Sequence, residues 1–198
     1  MCSRYELNEA PNILAKRFGL RWLLPMAPRR EVRPTNRSLV IQAEPGGGRA
    51  AAQLPWGLAV SWDSKPLINA RAETLAERKT FRPYLEQRCL VPATGYFEWM
   101  RDGRRRIKYR IAPQQSAAFA FAGLIGEGAF AIITCQPEAS IGHIHDRMPV
   151  ILEPQSEGAW IDPATPFDAV APLLIPYRGG PLSAETMQAP DPQGDLFA

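Results

Sequence analysis

"CLVPATGYFEWMRDGRRRIKYRI", residues 89–111, decides how this chain folds. Apolar, aromatic and β-branched residues run up to Asp102-Gly103, and a second β-prone run, "RRIKYRI", leads away from it. An Asp-Gly pair between two such runs is a strong short-range hairpin signal, because the tight turn needs φ > 0 at its centre and these residues adopt it cheaply. The stretch therefore predicts two antiparallel strands joined at Asp102-Gly103. Downstream, "AAFAFAGLIG" (117–126) and "AFAIITC" (129–135) are separated by a glycine-containing loop and predict another hairpin. Upstream, "RSLVIQAE" (37–44) reads as a strand entering the loop "PGGGRAA" (45–51), and "LPWGLAVSW" (54–62) as a further strand.

Helical signals are short. "NEAPNILAKRFGL" (8–20) predicts an amphipathic helix capped by Asn8, with Ile13, Leu14 and Phe18 near one face and Gly19 ending it. "ARAETLAERKT" (70–80) predicts a second helix leading into "FRPYLEQ", and "PQSEGAWI" (154–161) one or two last turns. From Tyr177 onward too little apolar content remains to pack. The expected fold is α+β: a single compact domain over residues 1–177, with an antiparallel, barrel-like β core flanked by short helices, and a flexible tail over residues 178–198.

Bulk properties agree. At 198 residues and 22.0 kDa the chain suits one well-packed domain, and 20 prolines with 15 glycines imply many turns and few long helices. No stretch approaches the roughly 20 apolar residues of a membrane span, and no charged-then-apolar leader opens the chain, so a cytoplasmic protein without membrane contact is expected. The formal charge is +3; residues 178–198 carry Arg178 against Glu185, Asp191 and Asp195, which leaves +5 on residues 1–177. Local concentrations at Arg29, Arg30, Arg33 and Arg37, and at Arg104, Arg105, Arg106 and Lys108, lean toward polyanions, although a solvated basic face would look the same. Cys2, Cys89 and Cys135 are an odd count with no C-x-x-C pair, which argues against a disulfide framework and a cysteine-built zinc site.

Cys2 is the most reactive possibility. Removal of Met1 would leave it with an α-amine, reference pKa about 7.7–8.0, and a thiol, about 8.5, on adjacent carbons. Such a 1,2-aminothiol meets an aldehyde first as an amine, giving a Schiff base, and then as a thiol, closing a thiazolidine. The plainer reading is that Cys2 is merely the second residue. "PLINARAE" puts Asn69 and Arg71 on one side of an extended segment, an amide and a guanidinium suited to orienting an amine and holding a phosphate. "GYFEWM" sets Glu98 among apolar neighbours that would raise its pKa toward that of a general acid, although a solvent-facing strand position is the commoner case. "GHIHDRMPVIL" holds both histidines, His143 and His145; with no further ligand to complete a zinc site, no metal or cofactor is expected, and His145 suits proton transfer.

Taken together, "MCSRY", "RPT", "WGL", "PLINARAET", "GYFEW" and "HDRMPVIL" resemble, in order and spacing, the SRAP (SOS response-associated peptidase) family, whose members crosslink to abasic sites in single-stranded DNA. The likeness runs from residue 2 to about residue 177 and implies a mixed α+β fold. It implies Cys2, Asn69, Glu98 and His145 as the catalytic set. Glu98 and His145 would assist opening of the abasic sugar, and the Cys2 amine, positioned by Asn69, would form the Schiff base before the thiol closes the ring. Arg4, Arg71 and Arg147 would contact phosphates, and Pro34, Trp62 and Trp99 would offer surfaces to bases. A monomer associated with the nucleoid is expected. Three departures stand out: Ser3 where glycine is usual, "EVRP" (31–34) in the DNA-binding loop, and a missing C-terminal segment replaced by the tail from Gly179.

In that tail "QGDLF" (193–197) resembles a bacterial sliding-clamp-binding peptide through Gln193, Leu196 and Phe197, with Gly194 departing from the pattern; chance is an equal explanation. Two other functions remain open on the sequence: a thiol autopeptidase with Cys2 as N-terminal nucleophile, and a passive single-stranded-DNA binder.

Overall fold

The structure, a computed structural model, describes residues 2–21 and 25–187. In chain order its elements are β1 (Tyr5–Leu7), α1 (Pro11–Phe18), β2 (Arg29–Val32), β3 (Arg37–Ala43), β4 (Arg49–Pro55), β5 (Leu58–Val60), β6 (Asp63–Leu67) and β7 (Asn69–Arg71). There follow β8 (Arg88–Ala93), β9 (Gly95–Asp102), β10 (Arg105–Pro113), β11 (Phe119–Gly126), β12 (Ala129–Cys135), β13 (Met148–Pro149), β14 (Ile151–Leu152), α2 (Glu157–Ile161), α3 (Phe167–Val170) and β15 (Leu182–Thr186). One sheet runs β15-β10-β9-β1-β2; a larger one runs β13-β12-β11-β8-β3-β4, with β14 beside β11 and β7 beside β12; β5 and β6 pair separately. Every named pairing is antiparallel except β7 with β12. The expected α+β domain with an antiparallel core is what forms; its sheets stay open, and one apolar core joins them.

Residues 89–111 explain how two sheets share that core. The Asp102-Gly103 hairpin is present, with Asp102 opposite Arg105. The upstream half, however, is two strands: β8 belongs to the larger sheet and β9 to the smaller, and the chain changes sheet at Thr94-Gly95. Gly95 is required there, since a Cβ would lie 2.9 Å from Glu6 Oε1 and 3.2 Å from the Arg110 guanidinium. Thr94 seals the crossing: its backbone N–H donates to Glu6 O (2.8 Å), and its Oγ1 accepts from Asn8 N–H (3.0 Å). Aromatic edges then bind the sheets, with Tyr5 and Tyr96 of the smaller meeting Phe121 of the larger at 5.9 and 6.1 Å. In the larger sheet β11 is buried along its whole length. A Cβ on Gly123 would meet Cys89 Sγ and Val91 Cγ2 at 2.9 Å, so Gly123→Ala should cost about 1–3 kcal/mol by overpacking, read as a lowered urea midpoint at constant slope.

Elsewhere the local signals are modified by tertiary contacts. α1 starts two residues late, because Asn8 is held by Thr94 and Pro11 supplies the first-turn position that needs no N–H; Leu14 and Phe18 are buried while Ile13 stays exposed. The helix expected over 70–80 is replaced by β7, extended alongside β12, and a single 3-10 turn at Ala72–Thr74. Pairing with a buried strand outweighs helix propensity there. Leu182–Thr186, expected in the tail, forms β15 on the edge of the smaller sheet, in register with β10 from Tyr109 to Pro113. Main-chain hydrogen bonds hold it, which is why its composition gave no warning. The "QGDLF" residues Gln193, Leu196 and Phe197 lie outside the described residues.

One buried ion cluster ties the short helices to the sheets. Glu157 of α2, 1 % exposed, receives Arg17 of α1 at 2.6 Å and Arg49 of β4 at 2.9 Å. Among the described residues no helix is long and apolar enough to cross a membrane.

Candidate active site

Cys2 precedes β1 and is fully buried. Its main-chain carbonyl accepts a hydrogen bond from Asn69 Nδ2 at 2.7 Å, and its thiol points at Arg4 O, 3.7 Å away. Asn69 opens β7, whose parallel register with β12 sets Asn69 opposite Ile132. Asn69 Oδ1 is buried with no hydrogen-bond partner among the described residues. Burial, reinforced by the nearby Glu98 charge, pushes the Cys2 thiol far above its ordinary pKa.

Glu98 lies on β9, two residues past Tyr96 and so on the same, inward face. It is 3 % exposed, and burial, with Asp146 adding to the effect, raises its carboxyl from 4.5 to about 7. His145 Nε2 stands 3.8 Å from Glu98 Oε2. Burial holds the imidazole below its ordinary pKa, against the opposing charge of Asp146. In the neutral ring Nδ1 accepts the Arg147 N–H at 3.0 Å, which puts the ring proton on Nε2, facing Glu98. Asp146 Oδ1, 2.8 Å from Nδ1, can take over that nitrogen when the ring is protonated.

The raised carboxyl carries a sign that can be measured. Between about pH 4.5 and 7 the folded chain binds a proton at Glu98 that the unfolded chain releases, so stability falls as pH rises through that window. Glu98→Gln removes this loss. The stability of wild type relative to Glu98→Gln should therefore drop by up to about 3 kcal/mol from pH 4 to pH 9, measured by urea unfolding at each pH.

Of these groups Glu98 and His145 line a cleft of about 510 Å³, with Ser3, Trp99, His143, Asp146 and the pair Arg101 and Arg106, while Cys2 and Asn69 are not on its wall. Ser3, His143, Asp146 and Arg101 had no assigned role from the sequence, and Arg106 stood out only as part of a basic run; the hairpin register, which sets Arg106 opposite Arg101, is the signal that could have singled out the pair. The remaining candidates fall around the cleft and beyond it. Arg4 lies 3.5 Å from Glu31. Trp99 sits under the Arg106 and Lys108 cations, 5.8 and 5.6 Å from its ring centre. Arg71 is exposed at the end of β7, Pro34 half-buried between β2 and β3, and Trp62, 66 % exposed, at the β5–β6 turn. Arg147 is committed to a two-pronged ion pair with Glu73, 2.8 Å at each oxygen, and to Thr134 O at 2.7 Å. Among the described residues no His, Cys, Asp or Glu cluster is placed to hold a metal ion.

A sequence model of the family described as "SOS response associated peptidase (SRAP)" matches residues 1–189. The chain belongs to the SRAP family. The match continues past residue 177 and covers the residues of β15. Among curated relatives, "Abasic site processing protein YoqW" of Bacillus subtilis is 37% identical, covering 93% of this chain and 91% of its own. "Abasic site processing protein YoaM" of the same organism is 36% identical over 93% and 89%, and "Abasic site processing protein YedK" of Escherichia coli 35% identical over 54% and 52%. A crystal structure of a protein from Bacteroides thetaiotaomicron superposes on this SRAP chain with a TM-score of 0.82 at 26% identity, covering 94% of it and 92% of that chain.

Proposed function

We propose that this SRAP protein, once Met1 is removed, captures abasic sites in single-stranded DNA by forming a thiazolidine with Cys2. The observation that carries this function is the grip of Asn69 on the Cys2 carbonyl beside a buried carboxyl raised to about 7 and a neutral imidazole. The names of the relatives, all abasic site processing proteins, favour the same substrate. Glu98 protonates the ring oxygen of the closed sugar while His145 takes the proton of its anomeric hydroxyl, which frees the aldehyde. The Cys2 amine adds to that carbon, water leaves with a proton supplied by the same pair, and the sulfur adds to the C=N bond while its proton passes to nitrogen. One aminothiol and one aldehyde give one thiazolidine and one water. Asn69 Oδ1 is the acceptor assigned to the liberated amine.

A thiol whose pKa is pushed far up by burial is a poor thiolate nucleophile, which favours this amine-first order over the autopeptidase alternative. Arg4 and Arg71 serve as phosphate contacts, and Arg147 joins them by exchanging Glu73 for a phosphate; Trp62, Trp99 and Pro34 receive neighbouring bases. The protein works as a monomer in the cytoplasm, at nucleoid DNA.

Glu98→Gln tests the role given to the carboxyl. It should slow covalent capture of an abasic oligonucleotide roughly a hundredfold while leaving affinity for undamaged single strands within about twofold, because a general acid lowers a barrier and adds little to ground-state binding. Parallel losses of rate and affinity, followed by gel-resolved time courses and anisotropy, would make Glu98 a structural residue instead.

A further inference from the structure

Beyond Trp99 the β9–β10 hairpin carries Arg101, Arg104, Arg105, Arg106, Lys108 and Arg110 against a single carboxylate, Asp102. Two of these cations are engaged: Lys108 with Glu31 at 2.9 Å and Arg110 with Glu6 at 2.6 Å. Among the described residues, Arg101, Arg104, Arg105 and Arg106 have no ion-pair partner.

The strand register makes one pair special. Arg106 stands directly opposite Arg101, which places their Cβ atoms about 4.5–5.5 Å apart on one face, an arrangement that is repulsive for like charges. Both side chains line the cleft that also holds Glu98 and His145, and Arg106 additionally covers the Trp99 ring. Of the carboxyls in that cleft, Glu98 feels the Arg106 charge but is held largely protonated up to about neutrality by burial, and Asp146, exposed beside His145 Nδ1, makes no ion pair with either guanidinium, so the pair is not fully neutralised. An anion held between the two guanidiniums relieves the repulsion, and its position is next to the proton-transfer groups. A bare solvated tip would not need both cations to converge on the same cleft.

We infer that Arg101 and Arg106 together grip one phosphodiester of single-stranded DNA at the mouth of the cleft, beside the nucleotide whose sugar reacts, with the adjoining base against Trp99. This rests on the single-stranded-DNA function proposed above. The two arginines are binding residues, and they fix the strand's path from the cleft out along the hairpin.

The test uses an undamaged oligothymidylate and anisotropy titrations across a potassium chloride series, with the full-length mature protein. Arg101→Gln/Arg106→Gln should flatten the dependence of log affinity on log salt by about 0.7, the share of one phosphate contact on a single strand, and weaken low-salt binding roughly tenfold. Its melting temperature should stay level or rise, since a like-charge pair is relieved, which separates lost contact from lost folding. Arg104→Gln/Arg105→Gln removes the same charge at the turn, outside the cleft, and should keep the wild-type slope. An unchanged slope in Arg101→Gln/Arg106→Gln, or an equal loss in the turn variant, would overturn the inference while leaving DNA binding intact. Absence of salt-dependent binding by the wild type would overturn both together.

Discussion

Cys2→Ala should reduce covalent capture of an abasic oligonucleotide to background on a denaturing gel, while non-covalent binding to single strands persists. Alanine keeps a terminal amine but removes the sulfur, so at most a reversible Schiff base forms. Cys2→Ser sharpens the result. It should give an adduct only when borohydride is added, because an oxygen closes the corresponding ring far less favourably, whereas the wild-type adduct should survive heating in detergent without reductant. Cys2 is buried against a well-packed core, so the alanine variant's loss in stability should be close to the transfer cost of one small side chain, about 1 kcal/mol. The fold therefore remains, and the chemistry alone is lost. Heat-stable adducts from the alanine variant would assign the bond to another residue.

Glu157→Gln should destabilise the protein by about 3–5 kcal/mol and lower its melting point by roughly 10 °C, the largest fold effect of any single polar change expected here. The carboxylate is 1 % exposed and is the shared partner of Arg17 and Arg49. Glutamine fills the same space and keeps one acceptor, but two guanidiniums then face each other across a neutral group in a place largely closed to water. Because Arg17 belongs to α1, Arg49 to β4 and Glu157 to α2, the loss is felt by three elements at once. Differential scanning calorimetry reads it directly. A loss under about 1 kcal/mol would mean that the cations are adequately hydrated without their carboxylate.

How much of this was legible in the sequence depended on whether a feature is local. Asp102-Gly103 specifies its own turn, and Leu14 with Phe18 specifies the buried face of α1, so both were readable. The break at Thr94-Gly95 was not, because what ends β8 and begins β9 is a long-range crowding of Gly95 by Glu6 and Arg110. Residues 72–78 carry good helix formers, yet they follow β7, which is held beside β12, and no local propensity registers that pairing. β15 is invisible to composition because its hydrogen bonds are main-chain to main-chain. In the candidate site, the motifs named Cys2, Asn69, Glu98 and His145, and the structure sets Asn69 against the Cys2 carbonyl and His145 beside Glu98. The raised Glu98 carboxyl needed only apolar neighbours to anticipate, whereas the Glu73–Arg147 pair joins residues 74 apart in sequence and had no local signal. The opposition of Arg101 and Arg106 lies between these cases: it follows from the turn once the register is counted, though not from the charge run itself.

The most direct measurement is the intact mass of the wild-type adduct with an abasic oligonucleotide, taken without reductant. The account predicts the mass of the chain lacking Met1 plus that of the oligonucleotide, less one water, with fragmentation placing the bond on Cys2. An adduct of the same yield whose protein part retains Met1, or whose bond maps to another residue, would contradict it.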